Sequence, residues 1–310
     1  MDNRQHTLAS SFHLSGVGLH TGTYADIEIV PAQAGHGIQF QRIDLPQQPI
    51  IAADINLVSS LERSTTIADD QCKVITVEHC LAGLMGMKVD NALIKINGPE
   101  VPILDGSAKP FIDEIQKVGL CPQPIEREFI EIQEELFYEN KEKGISLHIS
   151  PHHSFEIDVH IAYNTSILSN QKASLTKMED FASQIAPART FCFLHELEML
   201  FRSGLIKGGD ISNAVVFVDQ KVEEQKLAEI ARLLHKPKLK VNDKGFLNNT
   251  TLRFDNEPAR HKLLDVIGDL ALLGKPIKGK VIAHKPGHAA NVTFAKLIQK
   301  AFVFSKEIKR

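Results

Sequence analysis

The chain has 310 residues, 43% of them hydrophobic, and a formal net charge of −3. That length admits one large domain or two of ordinary size, and the apolar content supports a packed core rather than a disordered chain. The charge gives no basic footprint for nucleic acid, and no apolar run approaches the ~20 residues of a membrane span. The opening MDNRQHTLAS has no basic region followed by an apolar stretch, so no signal peptide is read there. The four cysteines, Cys72, Cys80, Cys121 and Cys192, form no CxxC pair. Reduced, mostly buried thiols in a cytoplasmic protein are expected.

In chain order, YADIEIVPA (24–32) and GIQFQRIDL (37–45) carry strand patterns. TVEHCLAGLMGMK (76–88) reads as a helix capped by Thr76, ALIKINGPE (92–100) alternates as a strand, and SAKPFIDEIQKVG (107–119) reads as a helix ending at a glycine. CPQPIERE (121–128), with two prolines, is the expected linker. Strands resume at EFIEIQEELFYE (128–139), ISLHIS (145–150) and FEIDVHIAY (155–163). In the last, Phe155, Ile157, Val159 and Ile161 alternate with Glu156, Asp158 and His160. His152, His153 and His160 therefore read as exposed strand or loop residues rather than ligands. Helices follow at 178–185, 194–203 and 256–274, then a strand at 279–285 and a last helix from 289. Strands come first and helices later in each half, which predicts two α+β domains, residues 1–122 and 128–305. No fixed-period repeat is visible.

The helix NEPARHKLLDVIGDLALLG (256–274) opens at a candidate N-cap, Asn256, and stops at Gly274 before Pro276. At about 100° per residue, with His261 at zero, Asp265 falls near 40°, Asp269 near 80° and Lys262 near 100°. Leu263, Leu264, Val266, Ile267, Leu270 and Ala271 fill the arc from roughly 140° to 300°. This polar side is either a solvated face or part of a metal site, since His and Asp four residues apart can reach one ion. A metal site needs a third ligand from elsewhere. In TVEH (76–79), Glu78 and His79 fall in a first helical turn, whose positive pole favours a carboxylate. That suits His79 as ligand and Glu78 as general base; an ordinary acidic first turn is the other reading. In KPGHAAN (285–291), His288 follows a Pro-Gly turn and either projects into a cleft or caps a helix in solvent. ARTFCF (188–193) says little alone.

Together with SGVGLHTG (15–22), NGPEVPILDGSA (97–108) and KGGDISNAVV (207–216), these stretches, in this order, resemble a known family nearly end to end. It is the zinc-dependent UDP-3-O-acyl-N-acetylglucosamine deacetylase (LpxC) family of bacterial lipid A biosynthesis. The resemblance implies hydrolysis of the N-acetyl group of UDP-3-O-(3-hydroxyacyl)-N-acetylglucosamine with release of acetate, an early committed step. It implies one Zn²⁺ on His79, His261 and Asp265, with Glu78 taking a proton from the zinc-bound water. Thr190 would donate to the oxyanion. His288, held by Asp269, would act as a cation and protonate the leaving amine. Lys262 would support the oxyanion side or a diphosphate, and Lys285 is a second diphosphate candidate.

The implied fold is two α+β domains of similar topology, each a sheet with two helices and an insert. The helices are sandwiched between the sheets, with the zinc at the junction. The second insert, 191–218, would form an apolar passage for the acyl chain. Its expected substrate contacts are Phe191, Phe193, Leu194, Leu197, Gly209, Ala214 and Val216, with His20 from the first half. A monomer is expected. Some family members are fused to a hydroxyacyl-carrier-protein dehydratase; this sequence contains no such segment, and a native chain continuing into one stays open. Ser212 stands where the family pattern suggests an acidic residue, and Cys80 and Gly83 where it suggests bulkier apolar residues or alanine. Two rivals are a zinc hydrolase for another amide and a nucleotide-sugar binding protein without catalysis. The absence of H-E-x-x-H counts against the commonest metallopeptidases. A binding protein has no use for Glu78 and His288 beside an open metal site.

Overall fold

The computed structural model describes residues 3–165, 167–203, 205–234, 236–247 and 250–308. The first half contains β1 (Arg4–Leu8), β2 (Phe12–Val17), β3 (Tyr24–Pro31), β4 (Ile38–Arg42), β5 (Ile50–Ala52), β6 (Val58–Ser60), β7 (Thr66–Ala68) and β8 (Lys73–Val74). Then come α1 (Glu78–Gly86), β9 (Ala92–Ile96), α2 (Lys109–Val118) and β10 (Leu120–Glu126). The second half opens with β11 (Ile130–Glu131), β12 (Leu136–Asn140), β13 (Ile145–Ser150), β14 (Phe155–Ala162), β15 (Asn170–Leu175) and α3 (Phe181–Gln184). It continues with β16 (Phe191–Phe193), α4 (Leu194–Arg202), β17 (Val215–Phe217), α5 (Glu224–Leu233), α6 (Glu257–Ala271), β18 (Ile277–His284) and α7 (His288–Ile308).

The two main sheets share one topology. Their strand orders are β2-β3-β9-β4-β5 and β12-β13-β18-β14-β15. In each, the late strand enters the middle and makes the single parallel pair on this path, β9 with β4 and β18 with β14. The short β11 adds a second parallel partner to β18. Alternation explains which face is covered. On β3, Ala25, Ile27 and Ile29 are buried while Tyr24 is exposed, and on β14 Phe155, Ile157, Val159 and Ile161 are buried between half-buried polar residues. The helices pack on the sheets and on one another: α2 meets β2, α1 packs on α2 and α6, α6 on β14 and β15, and α7 on β12 and β13. One apolar core runs through both halves. A smaller cluster, including Leu194, Leu197, Val216 and Ile230, supports the β16–α5 insert.

Two glycines set the helix spacing. A Cβ on Gly268 of α6 would lie 2.2 Å from the carbonyl oxygen of Glu78, so α6 crosses α1 at backbone contact. A Cβ on Gly83 would lie 3.1 Å from that of Phe111, so a bulkier residue there would press on α2.

Several expectations are corrected. Residues 121–128 are not an irregular linker: β10 occupies most of them and pairs antiparallel with β1. Its prolines are tolerated because this ribbon is two-stranded, with edges free of ladder demands. The 128–139 stretch divides into β11 and β12, the strand from 92 stops at Ile96 before the Asn-Gly-Pro turn, and 178–185 is a short 3₁₀ turn followed by α3. Thr76 does not cap α1. It has φ +58°, and its hydroxyl donates to Glu100 Oε1 at 2.8 Å. Asn256 precedes α6 without a side-chain cap bond, its Oδ1 accepting instead from Arg260 Nε at 2.7 Å. Cys72 and Cys80 are buried, Cys192 half-buried and Cys121 exposed, and all four are free thiols. Among the described residues, no helix is long and apolar enough to cross a membrane.

Candidate active site

The α1–α6 crossing brings His79, His261 and Asp265 together. One ligand-type atom from each lies within 4.8 Å of the others. His79 Nε2 is 3.7 Å and His261 Nε2 3.3 Å from Asp265 Oδ1. All three side chains are buried, so the polar side of α6 is an interior surface and not a solvated one. The donor set fits a metal ion. Among the described residues, Asp265 Oδ1 is buried without a hydrogen-bond partner, an arrangement that is costly unless something occupies the space it faces. His261 Nδ1 donates to the Ala188 carbonyl at 3.0 Å, which leaves the Nε2 lone pair toward Asp265. Burial lowers the His261 imidazole to about 4, with Asp265 opposing, so it is neutral and able to ligate. Burial also works against ionised Asp265, but the Lys262 ammonium holds its carboxyl well below the usual range. Lys262 Nζ donates to Asp265 Oδ2 at 2.7 Å. Its ammonium is thus committed to the cluster, and Asp265 keeps it charged against the cost of burial.

Beside this cluster sits a second one. Glu78, buried at the start of α1, accepts from the Thr65 backbone N–H through Oε2 at 3.0 Å. Its Oε1 faces His288 Nε2 at 3.7 Å. His288, the first residue of α7, donates from Nδ1 to Asp269 Oδ2 at 2.8 Å. Asp269 also accepts from the Thr65 hydroxyl at 2.6 Å and from Asn291 Nδ2 at 2.8 Å. Burial raises the Glu78 carboxyl above its ordinary value, against the pull of His288 and His79. Burial would lower His288, but Asp269, by charge and hydrogen bond, and Glu78 push it up to about 9. A carboxylate made more basic and an imidazole kept protonated thus stand side by side.

A cavity of about 540 Å³ opens from this point into the second insert. Thr190, Lys262 and His288 line its inner end, and Phe191, Phe193, Leu197, Gly209, Ala214, Val216 and His20 line its walls. Two expected substrate contacts lie elsewhere. Leu194 is buried in the insert's own small core, behind the wall. Lys285 is exposed at the end of β18, three residues before His288, with φ +48°. Ser212 is exposed, its N–H donating to Asp210 Oδ1 at 2.8 Å.

The motifs around the site explain one another. Gly106, at φ +81°, passes so near residue 213 that a Cβ would lie 2.0 Å from the Asn213 carbonyl oxygen. Its own carbonyl accepts from the Thr190 N–H at 2.7 Å. Arg189 forms a 2.9 Å ion pair with buried Glu257 at the start of α6. The ARTF stretch is thereby tied to the helix that carries His261. Sequence reasoning missed Thr65, Asn291, Ala188 and Glu257, and also Tyr163, which lines the cavity. A lone threonine or a backbone carbonyl leaves no spacing signal.

Three ligand-type atoms, with a buried carboxylate and a half-buried imidazole at their side, define a candidate mononuclear metal site at the end of an apolar cavity. The chain matches the LpxC family model, described as UDP-3-O-acyl N-acetylglycosamine deacetylase, over residues 5–237 and 235–300, and it belongs to that family. It is 38% identical over 301 residues to the UDP-3-O-acyl-N-acetylglucosamine deacetylase of Nostoc sp., covering 95% of this chain and 98% of that one. The protein of the same name from Myxococcus xanthus is 38% identical over 288 residues, 93% of this chain and 83% of the relative. The bifunctional enzyme LpxC/FabZ of Porphyromonas gingivalis is 44% identical over 297 residues, which are 96% of this chain but 64% of that protein. The chain therefore spans somewhat less than two thirds of the bifunctional relatives' length.

Proposed function

We propose that this chain removes the N-acetyl group of UDP-3-O-(3-hydroxyacyl)-N-acetylglucosamine, releasing acetate, as an early step of lipid A synthesis. The observation that carries the reading is the pairing of two clusters across one helix crossing, His79/His261/Asp265 and Glu78/His288/Asp269. Zn²⁺ bound at His79, His261 and Asp265 would supply Lewis acidity to the scissile carbonyl and to water. Glu78 Oε1, the oxygen left free by Thr65, takes the proton from water. His288 Nε2 stabilises developing negative charge as a cation and gives its proton to the leaving amine. Asp269 keeps that ring oriented and charged, as its 2.8 Å bond to Nδ1 indicates. Thr190, at the inner end of the cavity, donates to the oxyanion. Lys262 keeps Asp265 ionised and presents positive charge to the substrate, and Lys285, exposed after β18 and outside the cavity lining, is the second diphosphate candidate.

The reading includes a two-domain division at residues 1–122 and 128–305, a monomeric cytoplasmic protein, and the cavity of the second insert as the acyl passage. A fused dehydratase, as the name of the bifunctional relatives indicates for them, is compatible with it. Each buried methylene of an acyl chain contributes roughly 0.8 kcal/mol, so a chain of about ten carbons can supply several kcal/mol toward placing a small acetamide. The test is acetate release by zinc-loaded protein from the acylated UDP-sugar and from UDP-N-acetylglucosamine. A kcat/KM strongly favouring the acylated substrate is expected. Equal values would remove the acyl passage, and no acetate from either would overturn the deacetylase.

A further inference from the structure

We infer that Thr65 is the positioning residue that holds the base and the acid of this site in one frame. It lies just before β7, in the insert of the first half, and is fully buried. Three of its groups reach the site. The backbone N–H donates to Glu78 Oε2 at 3.0 Å, and the backbone carbonyl accepts from Val77 N at 3.2 Å, at the entry to α1. The hydroxyl donates to Asp269 Oδ1 at 2.6 Å, and its oxygen lies 3.2 Å from His288 Nδ1. One side chain of the first half thus reaches both Asp269 and His288 of the second.

Two consequences follow from donor counting. The two oxygens of Glu78 are made unequal: Oε2 is occupied by the Thr65 N–H, and Oε1 is the one aimed at His288. On Asp269, Oδ2 serves both His288 and Asn291, whereas Oδ1 receives the Thr65 hydroxyl. A hydroxyl has one proton, and here it is spent on Asp269. Without it Oδ1 is a buried carboxylate oxygen lacking this donor, and the carboxylate turns toward its remaining partners, carrying the His288 ring with it. The backbone bonds survive any side-chain change, so substitution isolates the hydroxyl. Valine keeps the shape of threonine and removes the donor; serine keeps the donor and removes the methyl.

The activity arm of the test rests on the proposed deacetylase reading. Thr65→Val should lower kcat for acetate release about 10–100-fold. Its KM should change less than about twofold, with zinc content and melting temperature near wild type. Thr65→Ser should restore most of the rate. Wild-type kcat in Thr65→Val would overturn the inference. So would a Thr65→Ser variant as slow as Thr65→Val, which would reduce the residue to packing, or losses that follow the melting temperature. A second readout needs no activity: the ring Nδ1–H proton of His288, observed by NMR in zinc-loaded protein. It should shift in Thr65→Val and return in Thr65→Ser, and an unmoved resonance in Thr65→Val would also overturn the inference. If the wild type releases no acetate, the deacetylase reading fails, and the Thr65 frame stands or falls on this resonance.

Discussion

Helices α1 and α6 hold equivalent places in two halves of the same topology, each running between the last sheet strand before it and the late central strand after it. Their endowments differ. α1 has nine residues and offers chemistry only at its first turn, Glu78 and His79, after which Cys80 to Leu84 are all buried. α6 has fifteen residues and carries His261, Asp265 and Asp269 at four-residue intervals on one buried side. The inserts diverge too. The first is a small three-stranded sheet that delivers Thr65, and the second frames the cavity. A repeated scaffold thus yields an unrepeated site, because the site lies where the two halves cross and takes different groups from each.

The largest break in this comparison comes from α1. Glu78→Gln should keep bound metal and lose about 10²–10⁴-fold in turnover, as expected for removal of a general base. Metal analysis alongside acetate release checks it, and lost metal would place Glu78 among the ligands. Gly268→Ala tests the crossing itself. Its Cβ would meet the Glu78 carbonyl, so a stability loss of about 1–3 kcal/mol is expected in denaturant melts, together with weaker zinc binding. Unchanged stability would mean that the helices separate freely. Ala214→Trp sharpens the contrast between inserts. It should depress kcat/KM for long acyl chains by about tenfold or more, with little effect on short ones, since each excluded methylene forfeits its burial. Equal losses would make the segment ordinary core.

The smallest shift is in pH. The proposed mechanism needs ionised Glu78 and protonated His288, so the rate should rise as Glu78 loses its proton and fall as pH passes about 9, where His288 loses its own. Asp269→Asn removes the charge that raises His288. The alkaline limb should then move down toward the ordinary imidazole value of 6.5. A kcat/KM profile that keeps its limb near 9 in this variant would assign the acid to another group.

What the sequence revealed follows the same division. The spacing on α6 exposed His261, Asp265 and Asp269 as neighbours, because helical geometry is local. The pairing of His79 with them rested on family resemblance, since no local rule says that two helices about 180 residues apart will cross. Even α6 was ambiguous: an amphipathic pattern does not tell a solvated face from a buried polar one, and only the contact with α1 decides. Residues 121–128 looked like a linker because prolines disfavour central strands, but an edge ribbon imposes no such penalty. Thr65 was invisible because its role depends on three tertiary hydrogen bonds rather than on a motif.

The central claim is that each half supplies part of one metal site. Zinc titration into metal-free wild type, His79→Ala and His261→Ala, followed by calorimetry, tests it most directly. The account predicts one tight equivalent for the wild type and loss of that tight binding in both variants, one altered on α1 and the other on α6. A tight equivalent retained in either variant would contradict it.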